Sequence, residues 1–215
     1  MITFRREHLD RNLENYVHLM RGRVLDIGGV KIKKRGRFIP PLDNVDSWKY
    51  LNHNPATNPD YCSSAENIPL DAGSVDTVVM TEVLEYLEKP EVAFSEIFRV
   101  LSGHGVCLLS IPLLHAVHGD WREDRSRYTA VKINEMADAA GFRGVEIQTM
   151  GGLGSVIFDL VHVAGGYANE DKNLFALRIL SKISRLVIPL FRVIDTVTRH
   201  EHDYITTGYF AVLRK

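Results

Sequence analysis

Short apolar runs alternate with helical segments over residues 23–150, and this alternation constrains the fold more than any other feature. It predicts an α/β domain in which helices cover both faces of a mostly parallel sheet. A run over residues 204–214 predicts one more strand near the end of the chain. The predicted strands are RVLDI (23–27), SWKYLN (47–52), DYC (60–62), VDTVVMT (75–81), GVCLLSIP (105–112), GVEIQTM (144–150) and YITTGYFAVLR (204–214).

Proline, threonine and glycine delimit the helices between the central strands. Pro90 suits the first turn of a helix, which Gly103 is expected to end. Thr129 supplies a side-chain cap for a second helix, and Gly141 ends that helix. These boundaries place each helix between two strands, as crossover connections in a parallel sheet require.

The rest of the chain is mostly helical in pattern. Apolar residues recur at three- and four-residue spacing near the N-terminus, which predicts a helix within residues 1–20. Residues 151–203 predict a helical insertion before the final strand, with Pro189 as an interior breaker. We therefore expect one domain over residues 1–215, with a seven-stranded sheet, an N-terminal helix and this insertion.

Composition excludes several classes of protein. The 215 residues are 45% hydrophobic and 25% charged with a net charge of −1, so we expect a globular chain that does not bind nucleic acid. Cys62 and Cys107 lie far apart and form no CxxC pair, which favours a reducing cytoplasm over a disulfide scaffold. The first twenty residues are charged and do not resemble a signal peptide.

The stretch VLDIGG (24–29) places an acid and two adjacent glycines at the end of the first predicted strand. A dinucleotide site would need GxGxxG, but the next glycine after Gly29 is Gly36. An acid just before the glycines suits a cationic ligand better than a diphosphate. S-Adenosylmethionine carries an ammonium and a sulfonium and fits this pattern. The alternative is a purely structural Gly-Gly turn.

Residues 58–105 contain four short motifs in a fixed order: SAENIPL, SVDTVVM, TEVLEYL and RVLSGHG. This ordered set resembles the class I S-adenosylmethionine-dependent methyltransferases, of the type 11 kind. The resemblance covers residues 23–150 and implies their Rossmann-like fold. The stretch IPLLHAVHGDWREDRSRYT (111–129) is similar to methyltransferases associated with bacterial surface-polysaccharide synthesis.

The resemblance implies a cofactor-binding role for residues at the ends of four strands. In order, they would hold the methionine end, the ribose, the adenine and the reactive end of the cofactor. They are Asp26, Gly28 and Gly29; Asn52, with Asn54 as a second candidate; Ser64 and Ala65; and Thr81 and Glu82.

Two of these positions depart from the family pattern. The usual ribose-binding acid is replaced by asparagine, and the usual adenine-binding aspartate is Ser64. Neutral side chains lose charge-assisted strength, about 1–2 kcal/mol per contact. A chain that has lost its activity and serves as a dimerising or membrane-associated module is therefore the alternative function. An NAD(P)-dependent oxidoreductase is disfavoured by Asp26 and the missing third glycine.

The loop after the fifth predicted strand carries the candidate catalytic residues. His118 is the candidate general base for a hydroxyl acceptor, with His115 or Asp120 orienting it. The alternative is a pair of solvated loop histidines. These histidines, or HEHD at 200–203, lack a recognised zinc spacing, so we predict no metal site.

Arginines in the same segment permit a second hypothesis. Arg122, Arg125 and Arg127 could bind an anionic acceptor such as a sugar phosphate. Ion pairing with Glu123 and Asp124 is the alternative. Together with the resemblance, this segment favours transfer of a methyl group to oxygen or nitrogen of a small molecule or glycan.

Residues 174–199 form the most apolar helical stretch of the chain, with four basic residues on one stripe. A helix this apolar must be buried within its own subunit, paired in a homodimer or dipped into lipid. A basic polar face suits peripheral contact with the inner membrane. Arg178, Lys182, Arg185 and Arg192 form that stripe.

Overall fold

A computed structural model of the chain describes residues 3–31, 36–117, 122–167, 175–198 and 205–215. Within these ranges, seven strands form one sheet in the order β3-β2-β1-β4-β5-β7-β6. This architecture confirms the predicted α/β fold with a mostly parallel sheet. The strands are β1 (Arg23–Ile27), β2 (Ser47–Asn52), β3 (Tyr61–Cys62), β4 (Val75–Thr81), β5 (Leu101–Pro112), β6 (Gly144–Thr149) and β7 (Gly208–Arg214).

The direction of the strands brings their carboxyl ends together. Strand β1 pairs in parallel with both β2 and β4, and β4 pairs in parallel with β5. Strand β7 is antiparallel to its neighbours β5 and β6. The loops that follow β1, β2 and β4 therefore lie side by side at one edge of the sheet.

Six α-helices accompany the sheet in the described ranges, together with short 3₁₀ turns. Most predicted boundaries are confirmed: Thr129 accepts a hydrogen bond from the Lys132 amide, and Gly141 ends the helix at φ 104°. The helices are α1 (Phe4–Asn15), α2 (Pro90–Val100), α3 (Ala130–Ala140), α4 (Leu153–Tyr167), α5 (Phe175–Leu186) and α6 (Ile188–Val197).

Two predicted boundaries are wrong: the final strand begins at Gly208 rather than at residue 204, and the end of the helix opened by Pro90 differs. Helix α2 ends at Val100 rather than at Gly103, and β5 begins at the next residue. Leu101 pairs with Val75 of β4, and the register shifts before the regular ladder resumes. Leu101 is fully buried, so its burial against the core favours a strand where the local sequence suggested a continuing helix.

Adjacent residues of the central strands are buried on opposite faces of the sheet. Leu25 packs in the cluster formed with α2 and α3, whereas its neighbour Val24 packs in the cluster formed with α1. Val78 and Val79 of β4 divide in the same way. Because both faces are covered, β1 and β4 carry buried apolar residues at adjacent positions, as at residues 24–25 and 78–80.

The start of α1 is fixed to α4 by a buried carboxylate. Asp159 accepts hydrogen bonds from the amides of Phe4 and Arg5, at 2.7 and 2.9 Å. The ring of Phe4 stacks on Phe158 with a centroid distance of 4.4 Å. These contacts satisfy two amides that a helix N-terminus would otherwise leave unpaired.

Helices α5 and α6 both pack against α4. A Cβ added at Gly154 would lie 2.0 Å from the carbonyl oxygen of Phe191, so α4 and α6 approach closely at this glycine. Pro189 lies in the first turn of α6, and the helical stretch is interrupted just before it. None of the described helices is long and apolar enough to cross a bilayer.

Candidate active site

The carboxyl edge of the sheet brings three of the predicted cofactor segments together. Asp26 lies in register with Tyr50 of β2 and Val79 of β4. The glycine turn, the end of β2 and the end of β4 are therefore neighbours in space. Ligands of parallel α/β sheets bind at this edge.

The glycine turn has no room for side chains. Gly28 has φ +79°, and its amide donates a hydrogen bond to the Leu51 carbonyl at 2.8 Å. A Cβ at Gly28 would lie 2.3 Å from Cγ2 of Val83, and one at Gly29 would lie 2.4 Å from Cγ of Asp26. Both positions require glycine, and the bare backbone leaves the Asp26 carboxylate accessible beside it.

The Asp26 carboxylate is half-buried and oriented by an aromatic residue that the sequence motifs did not indicate. The indole N–H of Trp48 donates to Oδ2 of Asp26 at 3.2 Å. Because Trp48 lies on the neighbouring strand β2, this contact fixes the carboxylate at the strand end. A fixed, partly exposed carboxylate can bind the ammonium group of an amino-acid ligand.

Asn52, the residue predicted to bind the ribose, contacts the glycine turn. Its amide nitrogen donates to the carbonyl oxygens of Gly28 and Gly29, at 3.2 and 3.3 Å. Its Oδ1 accepts a hydrogen bond from the Asn54 amide at 3.0 Å. A carboxylate here would repel the two carbonyl oxygens, so asparagine holds the shortened turn in place. Asn54 is exposed and caps the following 3₁₀ turn through Ala56.

The predicted adenine segment follows β3. Ser64 Oγ accepts a hydrogen bond from the Glu66 amide at 3.2 Å, and Ala65 is buried in the core. Lys31, which follows the glycine turn, donates to Asp60 at 3.0 Å just before β3. This ion pair links the two loops on either side of β2.

Glu82 follows Thr81, the last residue of β4, and has an unusual backbone conformation. Its φ is +58°, in the left-handed region that non-glycine residues rarely adopt. Its carboxylate accepts a hydrogen bond from Ser110 Oγ at 2.8 Å and forms an ion pair with the buried Arg5 of α1. The surrounding contacts hold this conformation at the position expected beneath the reactive end of the cofactor.

Buried ionisable groups surround Arg5. Burial lowers the pKa of Arg5 to about 10 and raises the pKa of Asp159 to about 6. Burial also raises the pKa of Glu85, in the turn after β4, to about 7. Sequence motifs did not indicate Arg5 or Asp159, because a charged residue in a helix pattern is normally solvated.

The candidate catalytic loop is described only in part. His115 is half-buried, and its Nδ1 lies 2.9 Å from the Ala116 carbonyl oxygen. His118 and Asp120 lie outside the described residues. Within the ranges that the structure describes, no group of three or more His, Cys, Asp or Glu side chains could hold a metal ion.

The arginines that follow this loop form ion pairs. Arg127 Nη2 donates to Asp124 at 2.8 Å, and Arg125 donates to Glu88 at 2.9 Å. The observed contacts therefore match the ion-pairing alternative for these two residues, with Glu88 in place of Glu123 as the partner of Arg125.

Comparison with known proteins supports the same family as the motifs. Residues 43–109 match the family described as a methyltransferase domain. The search of curated proteins returned no significant match.

Solved structures share the fold at low sequence identity. A SAM-dependent methyltransferase from Archaeoglobus fulgidus is 14% identical, with a TM-score of 0.58 and coverage of 98% of this chain and 94% of that one. The (4+2)-cyclase SpnF is 18% identical, with a TM-score of 0.57 and coverage of 96% and 80%.

A third neighbour was solved with the cofactor. Phosphoethanolamine N-methyltransferase 2 of Haemonchus contortus, in complex with S-adenosyl-L-methionine, is 14% identical with a TM-score of 0.57. The alignment covers 96% of this chain and 52% of that one. The family match over residues 43–109 and the shared fold agree with the resemblance of the sequence motifs to class I methyltransferases.

Proposed function

We propose that the chain transfers a methyl group from S-adenosylmethionine to oxygen or nitrogen of a small molecule or glycan. The observation that carries this proposal is the turn after β1, where the oriented Asp26 carboxylate lies beside two side-chain-free residues. The glycan class rests on the resemblance of residues 111–129 to methyltransferases of surface-polysaccharide synthesis.

The residues at the carboxyl edge fit such a cofactor. When bound, S-adenosylmethionine supplies a methyl group on a positively charged sulfur. Asp26 would hold the ammonium group, and Gly28 and Gly29 would let the ligand approach the backbone. Asn52 keeps that turn closed, and Glu82 would lie near the reactive end. Much of the catalysis is then positioning of the acceptor.

His118 is the proposed base for a hydroxyl acceptor, with His115 in the same loop. A hydroxyl group must lose its proton as it attacks, and imidazole is suited to this at neutral pH. Replacement of His118 by alanine should then lower turnover without changing cofactor affinity. An unchanged turnover would remove the assignment.

Titration with S-adenosylhomocysteine tests the cofactor site. We expect a micromolar dissociation constant, about −8 kcal/mol, for the unaltered chain. Asp26→Asn keeps the shape of the side chain but removes its charge, so affinity should fall about ten- to hundredfold. Isothermal titration of both proteins measures the difference.

The matched control is Asp76→Asn. Asp76 pairs with Arg23 at the opposite edge of the sheet, at 2.9 Å, so its replacement should leave affinity unchanged. Equal losses in both variants would indicate general destabilisation rather than a lost ligand contact. Methyl transfer to candidate glycans and sugar phosphates would follow.

A non-catalytic binding module is the second candidate function. The observation that favours it is Asn52, whose amide is already engaged with the glycine turn. The neighbour SpnF, a cyclase, also shows that this fold is not restricted to one reaction. Absence of detectable heat with millimolar S-adenosylhomocysteine would favour this candidate over the enzyme.

A further inference from the structure

Helix α5 leaves apolar side chains exposed to solvent. Ser184 is 3% exposed, and Arg185 Nε points to Nδ1 of the buried His162 of α4 at 3.4 Å. Ile183 and Leu186, in contrast, are 49% and 81% exposed. An ordinary surface helix buries its apolar stripe, so these exposed apolar side chains indicate a contact surface.

Both α5 and α6 carry exposed apolar residues at helical spacing. Members within α5 lie four and three residues apart, and members within α6 lie three and four residues apart, so each set shares one side of its helix. Val197 at the end of α6 is 71% exposed. The outer stripe consists of Ile179, Ile183, Leu186, Leu190, Val193 and Val197.

The charges of α5 and α6 are almost all positive. Residues 175–198 contain four basic residues and one acid, Asp195. That acid faces inward, where it accepts a hydrogen bond from the Ser155 amide of α4 at 2.9 Å. Lys182 is exposed and adjoins Ile183, a member of the outer stripe. Arg192 pairs with Glu7 of α1 at 3.0 Å, so the exposed Lys182 and Arg185 make the surface beside the stripe cationic.

The apolar and cationic character of this surface favours one binding partner over another. A second copy of the chain would bring the same cations together around the paired stripes, which disfavours self-association. An anionic lipid surface offers both an apolar layer for the stripe and negative headgroups for Lys182 and its neighbours. Helix α5 has only 12 residues, so the contact would lie in the plane of the interface rather than cross the bilayer.

We propose that the outer stripe of α5 and α6 binds the surface of an anionic membrane. The inference is independent of methyl transfer, because it rests on the insertion and not on the carboxyl edge of the sheet. Where both hold, the enzyme would work beside the lipid surface and would meet acceptors that are anchored there.

Co-sedimentation of the full chain with vesicles tests the proposal. Vesicles of phosphatidylcholine alone are compared with vesicles that also contain phosphatidylglycerol. The unaltered chain should bind the anionic vesicles, and the double variant Ile183→Glu/Leu186→Glu should bind them about tenfold more weakly or not at all. Lys182→Glu should weaken binding to anionic vesicles more at low salt than at high salt.

Val131→Glu is the matched control, since Val131 is an exposed apolar residue of α3, outside the insertion. This variant should bind vesicles like the unaltered chain. Equal affinity of all variants for S-adenosylhomocysteine, or equal unfolding transitions where no ligand binds, would show that each remains folded.

Two results would overturn the proposal. One is the absence of sedimentation with anionic vesicles, or sedimentation that the double variant does not change. The other is a dimer in analytical ultracentrifugation that the double variant converts to a monomer, because the stripe would then belong to a second copy.

Discussion

Replacing Gly28 by alanine is expected to abolish measurable cofactor binding and to lower the free energy of unfolding by about 2–5 kcal/mol. Two costs add at this position. The φ of +79° is unfavourable for a residue with a Cβ, and that Cβ would lie 2.3 Å from Val83 Cγ2. Relief of the clash moves the turn away from Asp26, and so it removes the binding geometry. Urea unfolding and titration with S-adenosylhomocysteine measure the two effects.

Gly73→Ala separates the two costs. Gly73 has φ +70°, and among the described residues nothing lies within 4 Å of a Cβ built there. This control should therefore lose only the conformational part, about 1–2 kcal/mol, and keep its cofactor affinity. The double variant Gly28→Ala/Val83→Ala should recover part of the stability. A Gly28→Ala protein no less stable than Gly73→Ala would contradict the close contact with Val83.

The strands were predictable because burial on both faces leaves a plain signal. Within VDTVVMT (75–81), Val78, Val79 and Met80 are consecutive apolar residues, and a sheet covered on both faces buries all three. The end of α2 was not predictable in the same way. Leu101 suits a helix locally, and its place in β5 depends on pairing with Val75, which is distant in sequence.

The residues of the candidate site also fall into a group that was predictable and a group that was not. Asp26 lies near the end of a predicted strand, Gly28 and Glu82 follow predicted strands, and parallel strands bring their carboxyl ends together. Trp48 and Arg5 were missed because their contacts join segments far apart in the chain. No local pattern indicates that Arg5 of α1 pairs with the residue after β4.

The insertion shows what amphipathicity can and cannot predict. The apolar content of residues 174–199 required that some surface cover it. The sequence did not reveal which side would face α4, since Ser184 and Arg185 are not residues that ordinarily direct packing. In the structure Ser184 is buried, Arg185 Nε lies 3.4 Å from Nδ1 of His162, and Leu186 is exposed.

Glu85→Gln is expected to make the protein more stable at pH 8 by about 3 kcal/mol. Burial raises the pKa of Glu85 from 4.5 to about 7 in the folded protein. The folded state therefore binds this proton more tightly than the unfolded state does. The contribution of Glu85 to stability therefore falls as the pH rises from about 4.5 to about 7. Glutamine cannot ionise, so the variant escapes this loss.

Urea unfolding of both proteins at pH 5 and pH 8 measures the effect, and the difference between them should be small at the lower pH. Burial also raises the pKa of Asp159 to about 6, but that group is present in both proteins and cancels in the comparison.

Asp76→Asn is the control of opposite sign. The pair with Arg23 lowers the pKa of Asp76 from 3.8 to about 2. The contribution of Asp76 to stability is therefore lost only as the pH falls from about 3.8 to about 2. The Asp76 variant should differ from the unaltered chain equally at pH 5 and pH 8. If Glu85→Gln also gave the same difference at both pH values, Glu85 would not be ionising within the folded core.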